Sequence, residues 1–131
     1  MRKDIEIPEV KDVYVAIVQE YNPEFEWNDW NAYIINDRKD PIEMVLIVSS
    51  GFNDDKITST MRHSIKMMPA KSYAKIELMQ EEVLKLTNEF RVSFFADKKM
   101  YDKKYVFEKN TISPETIGPL PIIEFKGALG K

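Results

Sequence analysis

The chain has 131 residues, 19 basic and 22 acidic, with a formal net charge of -3 and a pI near 5.3, which bounds it to one ordinary acidic domain. It contains no Cys, one His and four Gly, so disulfide frameworks, thiolate chemistry, cysteine-type zinc sites and glycine-rich phosphate loops are excluded together. The 36 Ile, Val, Leu and Phe residues are enough to build a hydrophobic core.

From the N-terminus, Met1 to Pro8 is charged and alternating, with no apolar stretch and no small-residue cleavage site, so no secretory signal is expected and residues 1–11 read as an N-terminal arm. β-Branched and aromatic residues number 43 against 12 Leu and Ala, an imbalance that favours pleated strands. Period-two segments between turn signals predict seven strands, over Val13–Glu20, Trp30–Asn36, Ile42–Ser49, Thr58–Met67, Ser72–Met79, Glu89–Ala96 and Tyr101–Lys109. The fold class expected is therefore all-β, an antiparallel sandwich of about seven strands forming a single domain over 1–131. The Asn36–Pro41 turn predicts a hairpin between strands two and three, and Asp97-Lys98-Lys99 a hairpin between strands six and seven. Gly51 to Asp55 reads as a loop, and Pro69 separates strands four and five. Gln80 to Leu86 has the one helical spacing, a short turn of helix between strands five and six. After Asn110, Ser113-Pro114-Glu115 suits a single capped helical turn, and Pro119 and Pro121 impose an extended, Pro-rich C-terminal tail over residues 110–131.

Strand four places Ile57, Met61, His63, Ile65 and Met67 on one side, with Arg62 and Ser64 on the other. Strands five and six turn Ala74, Ile76, Leu78 and Phe90, Val92, Phe94 inward. The first three strands are apolar on both faces, a second surface of several hundred Å2 that monomers seldom leave bare. Two covers are expected: the tail, laying down Leu120, Ile122 and Phe125, or a second copy in a two-fold homodimer.

The residues that could carry chemistry are few. His63 is the only imidazole, and alternation points Arg62 and Ser64 away from it, so a rim histidine bonded to a backbone or hydroxyl group is expected in preference to a dyad. Trp27 and Trp30 lie in an aromatic, acidic loop leading into strand two, which could stack a sugar, grip a peptide or tuck over the end of the sandwich. Asp54-Asp55 lacks the alternating ligands of a calcium loop. Glu81-Glu82 fits a solvated first helical turn better than an acid–base pair. No catalytic residue, metal site or cofactor is assigned; Trp27, Trp30, Arg62 and His63 are the candidate ligand or partner contacts. The absence of Cys and of a signal points to the cytoplasm, the longest apolar run of five residues excludes a membrane helix, and the scattered lysines make nucleic acid an improbable partner. A protein partner, itself included, is the expectation.

With Asp12 to Ala16, Asn31 to Asp37, Thr58 to His63 and Asn88 to Phe95 in view, the whole chain resembles a family of small bacterial proteins of uncharacterised activity, many labelled as a phenylalanyl-tRNA synthetase subunit. The resemblance implies a link to an aminoacyl-tRNA synthetase, but four Arg in 131 residues leave no place for that enzyme's ATP-binding core, so it implies no catalytic residue. More loosely, Pro69 to Lys109 resembles the last three strands of immunoglobulin-like sandwiches, without their core Cys pair or a Trp in strand three. Together these readings imply a non-catalytic, self-associating binding module. The alternative is an accessory subunit or small enzyme with a site around Arg62, His63 and the Trp27–Trp30 loop.

Overall fold

The computed structural model describes residues 8–131 apart from 55 and 59. Its strands are β1 (Val13–Asn22), β2 (Trp27–Asn36), β3 (Ile42–Asn53), β4 (Lys56–Ile57), β5 (Met61–Met68), β6 (Ser72–Leu78), β7 (Thr87–Ala96), β8 (Lys99–Phe107) and β9 (Gly127–Leu129), with one short helix, α1 (Glu81–Leu84). All pairings are antiparallel. One sheet runs β6-β2-β1-β9; the other runs β3-β7-β8, with β4 and β5 both on the free side of β3. The expected all-β sandwich is present. Val13, Val15, Ile17 and Trp30, Ala32, Ile34 from the first sheet meet Ile42, Val45, Ile47 and Phe90, Val92, Phe94 from the second in one dry layer.

Several expectations are corrected. The Asn36–Pro41 turn does not make a hairpin, because β2 gives its two edges to β1 and β6 while β3 enters the other sheet. The buried Asn36 amide explains the crossing: it donates to the carbonyls of Asp40 and Pro69, holding the turn under the core. The β7–β8 hairpin does form, with Ala96 opposite Lys99 and both Asp97 and Lys98 at positive φ, as a two-residue primed turn requires. β3 extends through Gly51, Phe52 and Asn53, expected to be loop, and the expected fourth strand, Thr58–Met67, is found as β5 starting at Met61, with the separate two-residue β4 before it. The segment from Ser113 to Thr116 is a hydrogen-bonded turn and not a turn of helix.

Two bulges shift the phase of alternation. At Met44, φ is 49° and the β3–β7 register slips, so Val45 and Ile47 face the core while Met44 and Leu46 are exposed. On β5, Met68, opposite Ile42, is buried, whereas Met67 and Met61, expected inside, are exposed together with Ile57 of β4. On β6 the register slips between the Tyr33–Lys75 and Ala32–Glu77 pairs, leaving Ile76 as the extra residue.

The tail covers the outer face of β1 and β2. Ala16, Val18, Tyr33 and Ile35 pack with Ile123, with Leu120 against them. The residues differ in part from those expected: Ile123 is 3% exposed, whereas Ile122 and Phe125 are 37% and 46% exposed. The outer face of β3 belongs to the other sheet and lies beyond this cover. Past Ile123 the chain pairs β9 with β1, then Gly130 N–H donates to the Val15 carbonyl while Lys131 exchanges two backbone bonds with Val106 of β8. The tail thereby bridges both sheets along one side of the sandwich.

Candidate functional site: an aromatic groove at the hairpin end

The β1–β2 hairpin carries the most exposed aromatic surface. Its turn is set by Asn22, whose side-chain oxygen accepts the backbone N–H groups of Glu24 and Phe25, a local bond that competes with continued strand. β2 then starts at Trp27, so both tryptophans lie on the strand, with Trp27 opposite Asn22 and Trp30 opposite Gln19, and not in a loop. Strand alternation separates them. Trp30 is 6% exposed within the core, while Trp27 is 58% exposed.

Trp27 is nevertheless held. Its indole N–H donates to Asp29 Oδ1 at 2.8 Å, the other Asp29 oxygen accepts from the Asn22 amide at 2.8 Å, and Phe25 stacks on the ring with centroids 5.4 Å apart. A fixed, solvent-facing indole has already lost the rotamer freedom that binding would otherwise remove. Across from it, the chain leaving β6 is pinned where Met79 N–H donates to the Trp30 carbonyl, and α1 follows with Glu81 and Glu82 exposed in its first turn. Between these two segments lies an open groove of about 470 Å3, with Trp27 and Leu78 as apolar walls and Asp29, Glu81 and Glu82 on its rim.

Arg62 and His63 lie apart from this groove. Arg62 is exposed on the outer face of β5 opposite Val48, and His63 pairs with Ile47 on the inner face, as alternation implies. The partner of His63 is a carboxylate and not the expected backbone or hydroxyl group. His63 Nε2 lies 2.9 Å from Glu77 Oε1, and the buried Ser49 hydroxyl donates to that same oxygen at 2.7 Å. The bulge at Ile76 is the cause: without the extra residue, strict alternation after Ala74 would aim Glu77 at solvent. Serine, histidine and carboxylate are therefore neighbours, but the carboxylate is in the middle. A nucleophile relay places histidine between serine and acid, so this arrangement ties two sheets together and does not activate Ser49.

A third polar group sits on the outer face of the first sheet. Glu20 Oε1 accepts from the Tyr33 hydroxyl and from the Asn31 amide at 2.9 Å, with Lys75 Nζ 4.0 Å away. Burial first, then the Glu20 carboxylate, pushes the Tyr33 phenol above its ordinary range. Glu77, Ser49, Glu20 and Tyr33 escaped the sequence reading because no motif joins them. Glu81-Glu82 is the exposed helix start that its sequence predicts, and Asp55 lies outside the described residues. Among the described residues no group of three His, Asp or Glu side chains is placed to hold a metal ion.

No family model, curated protein or solved structure matches the chain.

Proposed function

We propose that this protein is a non-catalytic binding module of the cytoplasm whose recognition site is the Trp27 groove. The observation that carries the reading is the indole itself: a large aromatic ring, 58% exposed, locked by Asp29 and Phe25 beside a concave surface. Exposed, pre-organised aromatics of this kind are the usual anchors of binding surfaces. The absence of Cys supports a reducing compartment, and no helix among the described residues is long and apolar enough to cross a membrane. An immunoglobulin-like assignment is supported by the sheet order, in which β6-β2-β1 matches strands E-B-A and β3-β7-β8 matches C-F-G. Self-association is supported by the exposed Met44, Leu46, Met67 and Met100 on the second sheet.

The rival, an accessory synthetase subunit or a small enzyme around Arg62, His63 and the tryptophans, needs those groups in one cleft. Arg62 and His63 occupy opposite faces of β5, and the Trp27 groove is lined from β2, β6 and α1.

The test is affinity purification of the tagged protein from its own cytosol, wild type beside Trp27→Ala, with melting curves to show both folded. Partners recovered by the wild type and lost by the variant support the module. Recovery of the same partners by both proteins, or of none by either, overturns it. Co-purification of a synthetase that survives Trp27→Ala but not Arg62→Ala would favour the rival.

A further inference from the structure

The groove's electrostatics identify the chemistry of its ligand, on the reading that the groove is a binding site. From Asp12 to Asp37 the chain contains six carboxylates and no Lys or Arg. The hairpin that presents Trp27 therefore projects Glu24 and Glu26 at its turn and Asp29 beside the ring, and α1 adds Glu81 and Glu82 from the opposite wall. Among the described residues none of these five carboxylates has an ion-pair partner, although Lys75, Lys71 and Lys104 are each paired elsewhere. An aromatic face set among unneutralised carboxylates attracts a cation twice, through the ring quadrupole and through net charge.

A neutral ligand fits less well. Stacking a sugar on Trp27 would let its hydroxyls donate to Glu81 and Glu82 but would leave the net charge of the rim uncompensated. Asp29, the carboxylate nearest the ring, already spends one oxygen on the indole and the other on Asn22, so it offers charge more readily than a free directional acceptor. A nucleic-acid backbone would be repelled by the same rim. A lysine or arginine side chain satisfies each feature: its methylene stem lies on the apolar wall of Trp27 and Leu78 while its head stays wet between the carboxylates.

We propose that the groove binds an extended basic peptide segment of a partner protein, with one Lys or Arg side chain laid on the Trp27 ring and flanking cations facing Glu81 and Glu82.

The test uses the full chain and an acetylated, amidated tetralysine peptide, with tetraglutamine as its uncharged counterpart. Binding is followed by calorimetry and by the Trp27 indole N–H resonance. Tetralysine is expected to shift that resonance saturably and to leave the buried Trp30 signal in place. Trp27→Ala should weaken binding about tenfold or more, and Trp27→Phe less, because indole is the best of the aromatic cation acceptors. The Glu81→Gln/Glu82→Gln double variant should weaken it several-fold, and raising salt from about 0.05 to 0.3 M should do the same. Equal binding by Trp27→Ala would reveal attraction to net charge alone and overturn the inference, as would equal binding of tetraglutamine. Trp27-dependent capture from cytosol without any tetralysine binding, or with cellohexaose binding in its place, overturns the cationic ligand and leaves the module standing. Trp27-dependent tetralysine binding with no Trp27-dependent partner does the reverse.

Discussion

Glu77 Oε1 lies 2.9 Å from His63 Nε2, joining β6 of one sheet to β5 of the other on the side of the sandwich where those two edge strands face each other. Because Ser49 donates to the same oxygen, removing the carboxylate leaves a buried hydroxyl without an acceptor. Glu77→Ala should lose about 1–3 kcal/mol, read as a lower urea midpoint with unchanged slope. Glu77→Gln keeps an acceptor oxygen and should lose less. An unchanged midpoint in the alanine variant would show that the pairing contributes nothing to stability.

The opposite side of the sandwich is joined by Tyr105, whose buried hydroxyl donates to the Val13 carbonyl. Tyr105→Phe should cost about 1–2 kcal/mol by stranding that carbonyl. Burial raises the Tyr105 phenol above the ordinary range, as it does that of Tyr33. The folded state then keeps protons that the unfolded chain releases near pH ~10, so stability is full below that pH and falls as pH rises through it. Across about pH 8 to 11, urea midpoints should hold up to about pH 9 and decline from about pH 10 upward, less steeply in Tyr105→Phe. A pH-independent midpoint across that window would contradict the assignment.

The tail's role as a cover separates two neighbouring isoleucines. Ile123 is 3% exposed against Ala16, Val18 and Ile35, so Ile123→Ala should cost about 2–4 kcal/mol through lost burial and an unfilled cavity. Ile122→Ala should change stability by no more than about 0.5 kcal/mol. Truncation after Gly118 removes Ile123 and β9 together, and should produce a chain that melts lower or aggregates. Equal effects of the two alanine variants would show that the tail is not the cover.

Close approach of the tail to β1 is read out by its glycines. A methyl group on Gly127 would stand 2.5 Å from the Ile17 carbonyl oxygen, which is backbone and cannot swing aside, whereas one on Gly118 meets nothing within 4 Å. Gly127→Ala should lower the melting temperature by several degrees, corresponding to about 1–3 kcal/mol of overpacking. Gly118→Ala should be near neutral. A neutral Gly127→Ala would mean that β9 does not dock as described.

The two tryptophans should separate stability from binding. Trp30→Ala empties a core position and should cost about 3–5 kcal/mol, while Trp27→Ala should shift the melting temperature little and weaken the binding proposed for the groove. Denaturation curves for the two variants, taken side by side, decide this. A large stability loss in Trp27→Ala would recast the ring as structural.

Much of the β architecture is legible in the sequence because alternation is a local property. Val13, Val15 and Ile17, or Phe90, Val92 and Phe94, declare a shared face wherever their strand is placed. Alternation does not reveal strand neighbours. Asn36 to Pro41 has good turn chemistry whether the chain stays in one sheet or crosses to the other, and here Asn36 decides through carbonyls contributed by Pro69, far along the chain. The bulges at Met44 and Ile76 are equally silent, since one unpaired residue in a strand leaves no compositional trace while reversing the direction of every side chain beyond it. Glu77 was hidden for that reason. Of the candidate contacts, the sequence located Trp27 and Trp30 as residues of interest, but only the pairing of β1 with β2 separates the buried ring from the exposed one.

Composition and pattern by themselves determined an acidic all-β chain without thiols, with surplus apolar residues on its first strands and in its tail. These follow from residue chemistry and a period of two, which hold before any long-range contact exists. The tertiary structure decided that the surplus is divided between two sheets, that Ile123 and not Phe125 covers the first of them, and that the walls of the Trp27 groove come from segments some 50 residues apart in sequence. Those outcomes depend on which edges pair and where a register slips, and such choices are fixed only when distant strands compete for the same hydrogen bonds.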